Sequence, residues 1–285
     1  MRAYRIAYDG RPYYGFQRQP DVPTVEDDLF DALRTLDAFS GEKPPGYAAA
    51  GRTDAGVSAL AQTIAFEAPG WLSPRAFNSE LPAEVRAWAS ASTPEGFHAT
   101  HHATERRYTY HLHAPESDVE MARDALDALS GRHDFHNLTP DADGTVRDLD
   151  TELTVDGPFV VLTLTASGFC RQLVRRVVSL VASVAAGERP LSDVERVLDE
   201  EPLDGPDGVA PAPAQALVLT DVSYAGSEAV PDGLSLDVDA DAVESARTVF
   251  EATRIEQATG ARVAGHLASG VGSAPDGGES RGGPQ

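Results

Sequence analysis

Residues 146–187 read VRDLDTELTVDGPFVVLTLTASGFCRQLVRRVVSLVASVAAG. Residues 146–155 and 158–166 have the look of two strands, and Asp156-Gly157 between them is turn chemistry. From about Phe169 the period changes. Apolar residues at 169, 173, 174, 177, 178, 180 and 181 form one stripe at helical spacing, closed by Gly187. The spacing predicts a helix over 169–186. Neighbouring strands followed by a helix on the same sheet point to an α+β arrangement with antiparallel pairing, not to a strict βαβ alternation.

The same reading extends outward in both directions. Residues 107–113 predict a strand with Tyr108 and Tyr110 on one face, and 118–130 a helix ended by Gly131. Residues 191–199 predict a short helix and 215–224 a final strand. Nearer the N-terminus, 2–8, 60–67 and 85–92 predict strands, and 74–79 a short helix. Thr24 precedes an acidic first turn (Glu26, Asp27, Asp28) and an apolar face of Leu29, Phe30, Leu33 and Leu36, an N-capped helix. Residues 1–105 and 106–225 are expected to form two α/β halves on one sheet. Residues 226–285 are an acidic extension, with ten acidic residues and four arginines. One amphipathic helix is expected over 240–259, and disorder in the Gly, Ser and Pro-rich chain after Gly265.

Composition bounds the function. The chain has 285 residues and a formal charge of −22. Lys43 is its single lysine, against 22 arginines and 26 aspartates. An Asp-rich, lysine-poor surface is expected of a protein kept soluble in concentrated salt, as in a halophilic archaeon, because screening weakens self-repulsion there. An acidic protein that avoids nucleic acid is the alternative. Cys170 is the one cysteine, which excludes an internal disulfide and a Cys-rich zinc site. No apolar run is long enough to span a membrane and no secretory signal is visible, so a cytoplasmic protein with no membrane partner is expected.

Three segments carry candidate chemistry. Gly51-Arg52-Thr53-Asp54-Ala55-Gly56-Val57 brackets an Asp and an Arg between glycines that permit a tight turn and close approach of a ligand; a plain Asx turn is the alternative. Phe97-His98-Ala99 and Arg106-Arg107-Tyr108-Thr109-Tyr110 set basic residues beside aromatics, which suits nucleic acid; an edge strand with Tyr108 in the core is the alternative. In Gly168 to Val178, Arg171 and Arg175 are spaced i, i+4 with Arg176 beside them, in first helical turns where positive charge opposes the dipole. A solvated basic face is the alternative for Arg171 and Arg176. His98, His101 and His102 lack a convincing fourth ligand, so no metal is expected.

In order and spacing these segments resemble the tRNA pseudouridine synthase A family. Tyr8-Asp9-Gly10 with Tyr14-Gly15-Phe16-Gln17-Arg18-Gln19 is similar to the family's opening motif. Gly51 to Val57 resembles its catalytic loop, and Phe169 to Val177 its F-x-x-x-M-V-R helix, with Leu173 for Met. Gly131-Arg132-His133-Asp134-Phe135 and Ala210-Pro211-Ala212-Pro213 match weaker landmarks. The resemblance spans about residues 2–224. It implies the pseudouridine synthase fold with a central RNA-binding cleft, a homodimer, and isomerisation of tRNA uridines in the anticodon stem-loop. Asp54 falls on the catalytic aspartate, Tyr108 on the tyrosine that packs against the uracil, and Arg175 on the arginine paired with the carboxylate. Arg52 falls on the arginine associated with RNA binding and base flipping. Arg18, Arg106, Arg107, Arg171 and Arg176 lie in the matched motifs as further RNA-binding candidates. Glu26, Ser58 and Thr100 depart from the pattern, and the segment after Phe135 is short and acidic at Asp141 and Asp143. The reaction is neither a redox step nor a group addition, so no nucleotide cofactor or other cofactor is expected. A non-catalytic RNA-binding protein of the same fold, and an Asp-dependent glycosidase lacking its second carboxylate, are the competing readings.

Overall fold

The computed structural model describes residues 1–203 and 208–271. Two compact units are distinguished, Met1–Ala246 and Arg247 onward. In chain order the elements are β1 (Arg2–Tyr8), α1 (Val25–Thr35), β2 (Ala48–Ala49), β3 (Ser58–Phe66), α2 (Pro74–Asn78), β4 (Val85–Ser92), β5 (Glu105–His113), α3 (Val119–Ala128), β6 (Gly131–Asp134), β7 (Val146–Asp156), β8 (Phe159–Ala166), α4 (Leu173–Ala185), α5 (Ser192–Leu198), β9 (Leu217–Ser223), β10 (Asp237–Val238) and α6 (Ala240–Gly270).

The strands form one 10-stranded sheet in the order β10-β4-β1-β3-β9-β5-β8-β7-β6, with β2 on β3. Every described pairing is antiparallel except β3 with β9, which meet only at Ser58↔Val218 and Ala59↔Leu219. Beyond that short contact, the far end of β3 pairs with β2 instead, at Ala48↔Ala65 and Ala49↔Ile64. The sheet is therefore thinly joined at its middle, and the loop from β2 back to β3 lies at the junction.

Two hydrophobic cores flank that junction. One gathers Tyr4, Ile6 and Phe66 with Leu29 and Leu33 of α1 and Phe77 of α2. The other gathers Leu162 and Leu164 of β8 with Leu126 of α3 and Leu173, Val177, Leu180 and Val181 of α4. Burying each such side chain contributes about 1.5–3 kcal/mol, which lets the valine-rich α4 stay helical despite the modest helix propensity of valine. Tyr108 packs against both cores.

The observed elements depart from the sequence expectation in a few places. The helix expected from Phe169 begins at Leu173, after Gln172 at φ 60°. Arg171 therefore lies outside the helix, and the expected i, i+4 pair with Arg175 does not form. Gly131, expected to end α3, opens β6 at φ +87°. The strands β2, β6 and β10 are too short for periodicity to reveal. Disorder was expected from Gly265, yet α6 continues to Gly270; the remainder of that expectation, residues 272–285, lies outside the described residues. Only Ala242 and Ala246 of α6 are buried. Among the described residues no helix is long and apolar enough to cross a membrane.

Candidate active site

The Gly51–Val57 loop is held from two sides. From β3, the Gln62 side chain donates to the Gly51 carbonyl at 2.8 Å and accepts the Gly51 N–H at 3.2 Å. From the N-terminal segment, the Phe16 N–H donates to the Thr53 carbonyl at 3.1 Å, the Tyr8 and Thr53 hydroxyls meet at 2.7 Å, and the Gly56 N–H donates to the Tyr13 carbonyl at 3.2 Å. Close approach explains the glycines of the opening motif. A Cβ on Gly10 would lie 2.0 Å from the Val57 carbonyl oxygen, and Gly15 adopts φ +115° against the Thr53 carbonyl. These contacts fix the turn from which the Asp54 side chain projects, and the Val57 N–H closes it on the Asp54 carbonyl at 3.1 Å.

Facing that turn is the first turn of α4. Arg175 Nη1 donates to Asp54 Oδ2 at 3.2 Å, with the Arg175 side chain 15% and the Asp54 side chain 34% exposed. Arg175 Nε also donates to the Ala212 carbonyl at 2.6 Å, and the Ala212 N–H returns to the Arg175 carbonyl at 3.0 Å. The Tyr110 hydroxyl donates to the Pro213 carbonyl. The Ala210–Pro213 landmark is thus a brace that aims Arg175 at Asp54. Tyr108 stands beside the pair, half-buried, its ring edge-on to Phe169 at 5.1 Å. Burial pushes the Tyr108 phenol up to about 12 against the pull of Arg106, with the Asp54 charge adding to the rise, so it is a neutral donor at working pH.

Asp54, Arg175, Tyr108 and Arg52 share one open cavity of about 930 Å³. Six cationic side chains line it (Arg18, Lys43, Arg52, Arg106, Arg171, Arg175), against the carboxylates of Glu26, Glu42, Asp54 and Asp141. An excess of positive charge here, in a chain of −22, makes the cavity the basic exception to an acidic molecule. The remaining candidates divide. Arg106 is committed to the protein, donating to the carbonyls of Ala50, Thr100, Ala103 and Ser167. Arg18 pairs with Asp27 and Arg171 with Asp141. Arg107 and Arg176 do not line the cavity: Arg107 reaches Thr165 and Glu105, and Arg176 the Val209 carbonyl and Gln172. Alternation along β5 puts Arg107 on the face opposite Tyr108. The three departures are also absorbed locally: Ser58 accepts the Gly10 N–H, Thr100 donates to the Ala49 carbonyl, and Glu26 accepts the Arg18 N–H.

Sequence reasoning missed the Gln62 clasp and the Tyr8–Thr53 bond; an isolated Gln inside an apolar strand was the available signal. Cys170 also lines the cavity, but burial raises its thiol and the Sγ–H points to the Gly144 carbonyl, so it offers no nucleophile. No group of three His, Cys, Asp or Glu side chains among the described residues is placed to hold a metal ion.

Proteins known as tRNA pseudouridine synthase A share this sequence along nearly its whole length. The one from Halobacterium salinarum is 58% identical over 271 residues, covering 94% of this chain and 98% of its own. The chain belongs to the tRNA pseudouridine synthase A family. As a member it is an isomerase acting on tRNA. The relative from Haloarcula marismortui is 58% identical and covers 95% of this chain and 100% of its own; that from Methanothrix thermoacetophila is 40% identical over 79% and 84%. A family profile described as tRNA pseudouridine synthase matches residues 125–225, in the half that carries Arg175. The sheet is the mainly antiparallel sheet of a pseudouridine synthase fold. Among solved structures, a chain of an archaeal box H/ACA sRNP complex covers 61% of this chain and 45% of its own at 15% identity and a TM-score of 0.32, a likeness from which nothing about this site follows.

Proposed function

We propose that the chain converts uridine to pseudouridine in the tRNA anticodon stem-loop, around positions 38–40, with Asp54 as the catalytic carboxylate. The observation that carries this reading is the Asp54–Arg175 ion pair opening onto a basic cavity beside Tyr108. The reaction breaks the bond from ribose C1′ to uracil N1, turns the base, and forms a bond from C1′ to C5; the C5 proton leaves and N1 gains one. One carboxylate serves as nucleophile or base, and it must be an anion. The Arg175 guanidinium holds the Asp54 carboxylate in position. A stacked base is out of reach, so the target uridine is flipped into the cavity. Tyr108 gives it an aromatic face, and the neutral phenol is placed to pass a proton. Arg52 is exposed and has no hydrogen bond or ion pair among the described residues, which leaves its guanidinium for the RNA strand.

In this reading the enzyme works in the cytoplasm of a halophile as a homodimer, with residues 1–105 and 106–225 as the two halves of the synthase and 226–285 as an appendage. The acidic composition and the 58% identity to halophilic relatives support the salt-adapted setting. The decisive experiment incubates unmodified tRNA with wild type and Asp54→Asn in molar KCl. Asn is nearly isosteric and cannot be an anion, so pseudouridine should vanish while tRNA still binds. Turnover of the variant within tenfold of wild type would sink the assignment.

A further inference from the structure

Lys43 is the one lysine among 285 residues, and it stands on the wall of the active-site cavity. It lies in the segment after α1, where the Glu42 carbonyl is pinned by Arg18 Nη1 and Arg34 Nη2, each at 3.1 Å. Four of the six cations in the cavity are engaged by carboxylates or carbonyls: Arg18, Arg106, Arg171 and Arg175. Among the described residues, Arg52 and Lys43 have no such partner. Lys43 is exposed, and its Nζ lies 5.2 Å from the Tyr47 ring centroid. A compact ammonium in that setting is a point charge available to a phosphate.

Close by, His98 and His101 line the same cavity and stack on each other, ring centroids 4.1 Å apart and planes 32° apart. His98 Nδ1 accepts the N–H groups of Thr100 and His101, so its proton sits on Nε2. Burial, and then the neighbouring His101, His102 and Lys43, hold His98 below its ordinary value. The pair thus presents imidazole faces on the same cavity wall as the Lys43 ammonium. A phosphate-seeking charge beside a stacking plane has the chemistry of a nucleotide site.

We infer that Lys43, His98 and His101 form a subsite for a second nucleotide of the tRNA strand, distinct from the flipped uridine, with Lys43 on its phosphate and the stacked imidazoles on its base. The inference rests on the proposed reaction, since the strand must thread the Asp54 cavity. Lys43 and His101 lie outside the family motifs quoted above, and His98, inside one of them, gains a specific nucleotide contact.

The test measures binding of an unmodified tRNA transcript by the full chain across a KCl series in which the protein stays folded, for wild type, Lys43→Ala and His101→Ala. Loss of one phosphate contact should weaken binding at every salt concentration and reduce the slope of log K against log salt by roughly one. Loss of the stack should weaken binding about tenfold and leave the slope unchanged. A readout free of mutation is available because Lys43 and the α-amine are the chain's only amines. Acetylation of the folded protein should be slowed severalfold at Lys43 by saturating tRNA, with the α-amine rate unchanged. Wild-type slope and affinity in Lys43→Ala, unchanged binding in His101→Ala, or equal Lys43 labelling with and without tRNA each overturn the subsite, while a wild type that still makes pseudouridine keeps the parent reading standing. A wild type that neither binds nor converts tRNA overturns both.

Discussion

At the scale of single residues, the site is a problem of holding a carboxylate where solvent would otherwise let it wander. Arg175 does this through a bond to Asp54 and a second bond to Ala212, so its charge and its aim are fixed separately. Arg175→Met keeps the aliphatic stem and the helix propensity but removes the charge. In high salt its circular dichroism should match wild type while pseudouridine formation falls by at least about a hundredfold, the scale of lost electrostatic stabilisation. Parallel loss of the folded signal would make the role structural. Gly10 tests the backbone side of the same site. A Cβ there meets the Val57 carbonyl at 2.0 Å, so Gly10→Ala must push the loop that carries Asp54. Overpacking of that kind costs about 1–3 kcal/mol. Lowered thermal stability together with a large loss of turnover is expected, measured by melting and by pseudouridine assay on the still-folded fraction.

At the scale of elements, α4 and the 209–213 segment act as one piece. The Val209 and Ala212 carbonyls accept from Arg176 and Arg175, so backbone dipoles share with the Asp54 carboxylate in satisfying the positive charge of the first helical turn. Periodicity located α4 but placed its start four residues early. Phe169 fits the apolar stripe, and nothing local announces that Gln172 takes a left-handed turn. That turn releases Arg171 to Asp141 across the short acidic segment. The C-terminal helix is a contrasting case. Of its 31 residues only Ala242 and Ala246 are buried, both in the first unit. Truncation after Ala246 should therefore leave the melting temperature of the remainder within a few degrees of the full chain and leave turnover intact, since little apolar area is lost. A truncated protein that folds but cannot modify tRNA would assign the appendage a functional role.

At the scale of the whole molecule, two electrostatic regimes coexist: a net charge of −22 and a cavity with more cations than carboxylates. Like charges crowded on the folded surface separate on unfolding, so dilute salt favours the open chain. Thermal stability should rise from about 0.1 M toward molar KCl, as the Debye length falls from about 10 to 3 Å. Affinity for tRNA should run the other way, falling with salt, and shallowly, because most of the cavity's arginines are already engaged by the protein. Paired melting and binding curves across KCl check both. A stability flat in salt would separate the acidity from salt adaptation and leave the binding trend to stand alone.

What the amino-acid order determined by itself is local. The α+β class followed from side-chain period, and the loop glycines, Asp54, Tyr108 and Arg175 could be singled out because motif spacing is a property of the chain. The helix cap at Thr24 follows from a single residue and its near neighbours. The parts decided only in three dimensions depend on pairs far apart in sequence. Whether an arginine is a free cation or a structural clasp turns on which carbonyls the fold brings to it: Arg106 meets Ala50 across 56 residues and Ser167 across 61, while Arg52 meets none among the described residues. The two-residue β2 and β10, the narrow β3–β9 junction and the Gln62 clasp are likewise set by long-range pairing, where no local pattern carries the signal. Lys43 marks the boundary between the two kinds of knowledge. Its singularity is visible in the composition, but its place on the cavity wall beside two stacked histidines exists only after the chain has closed on itself.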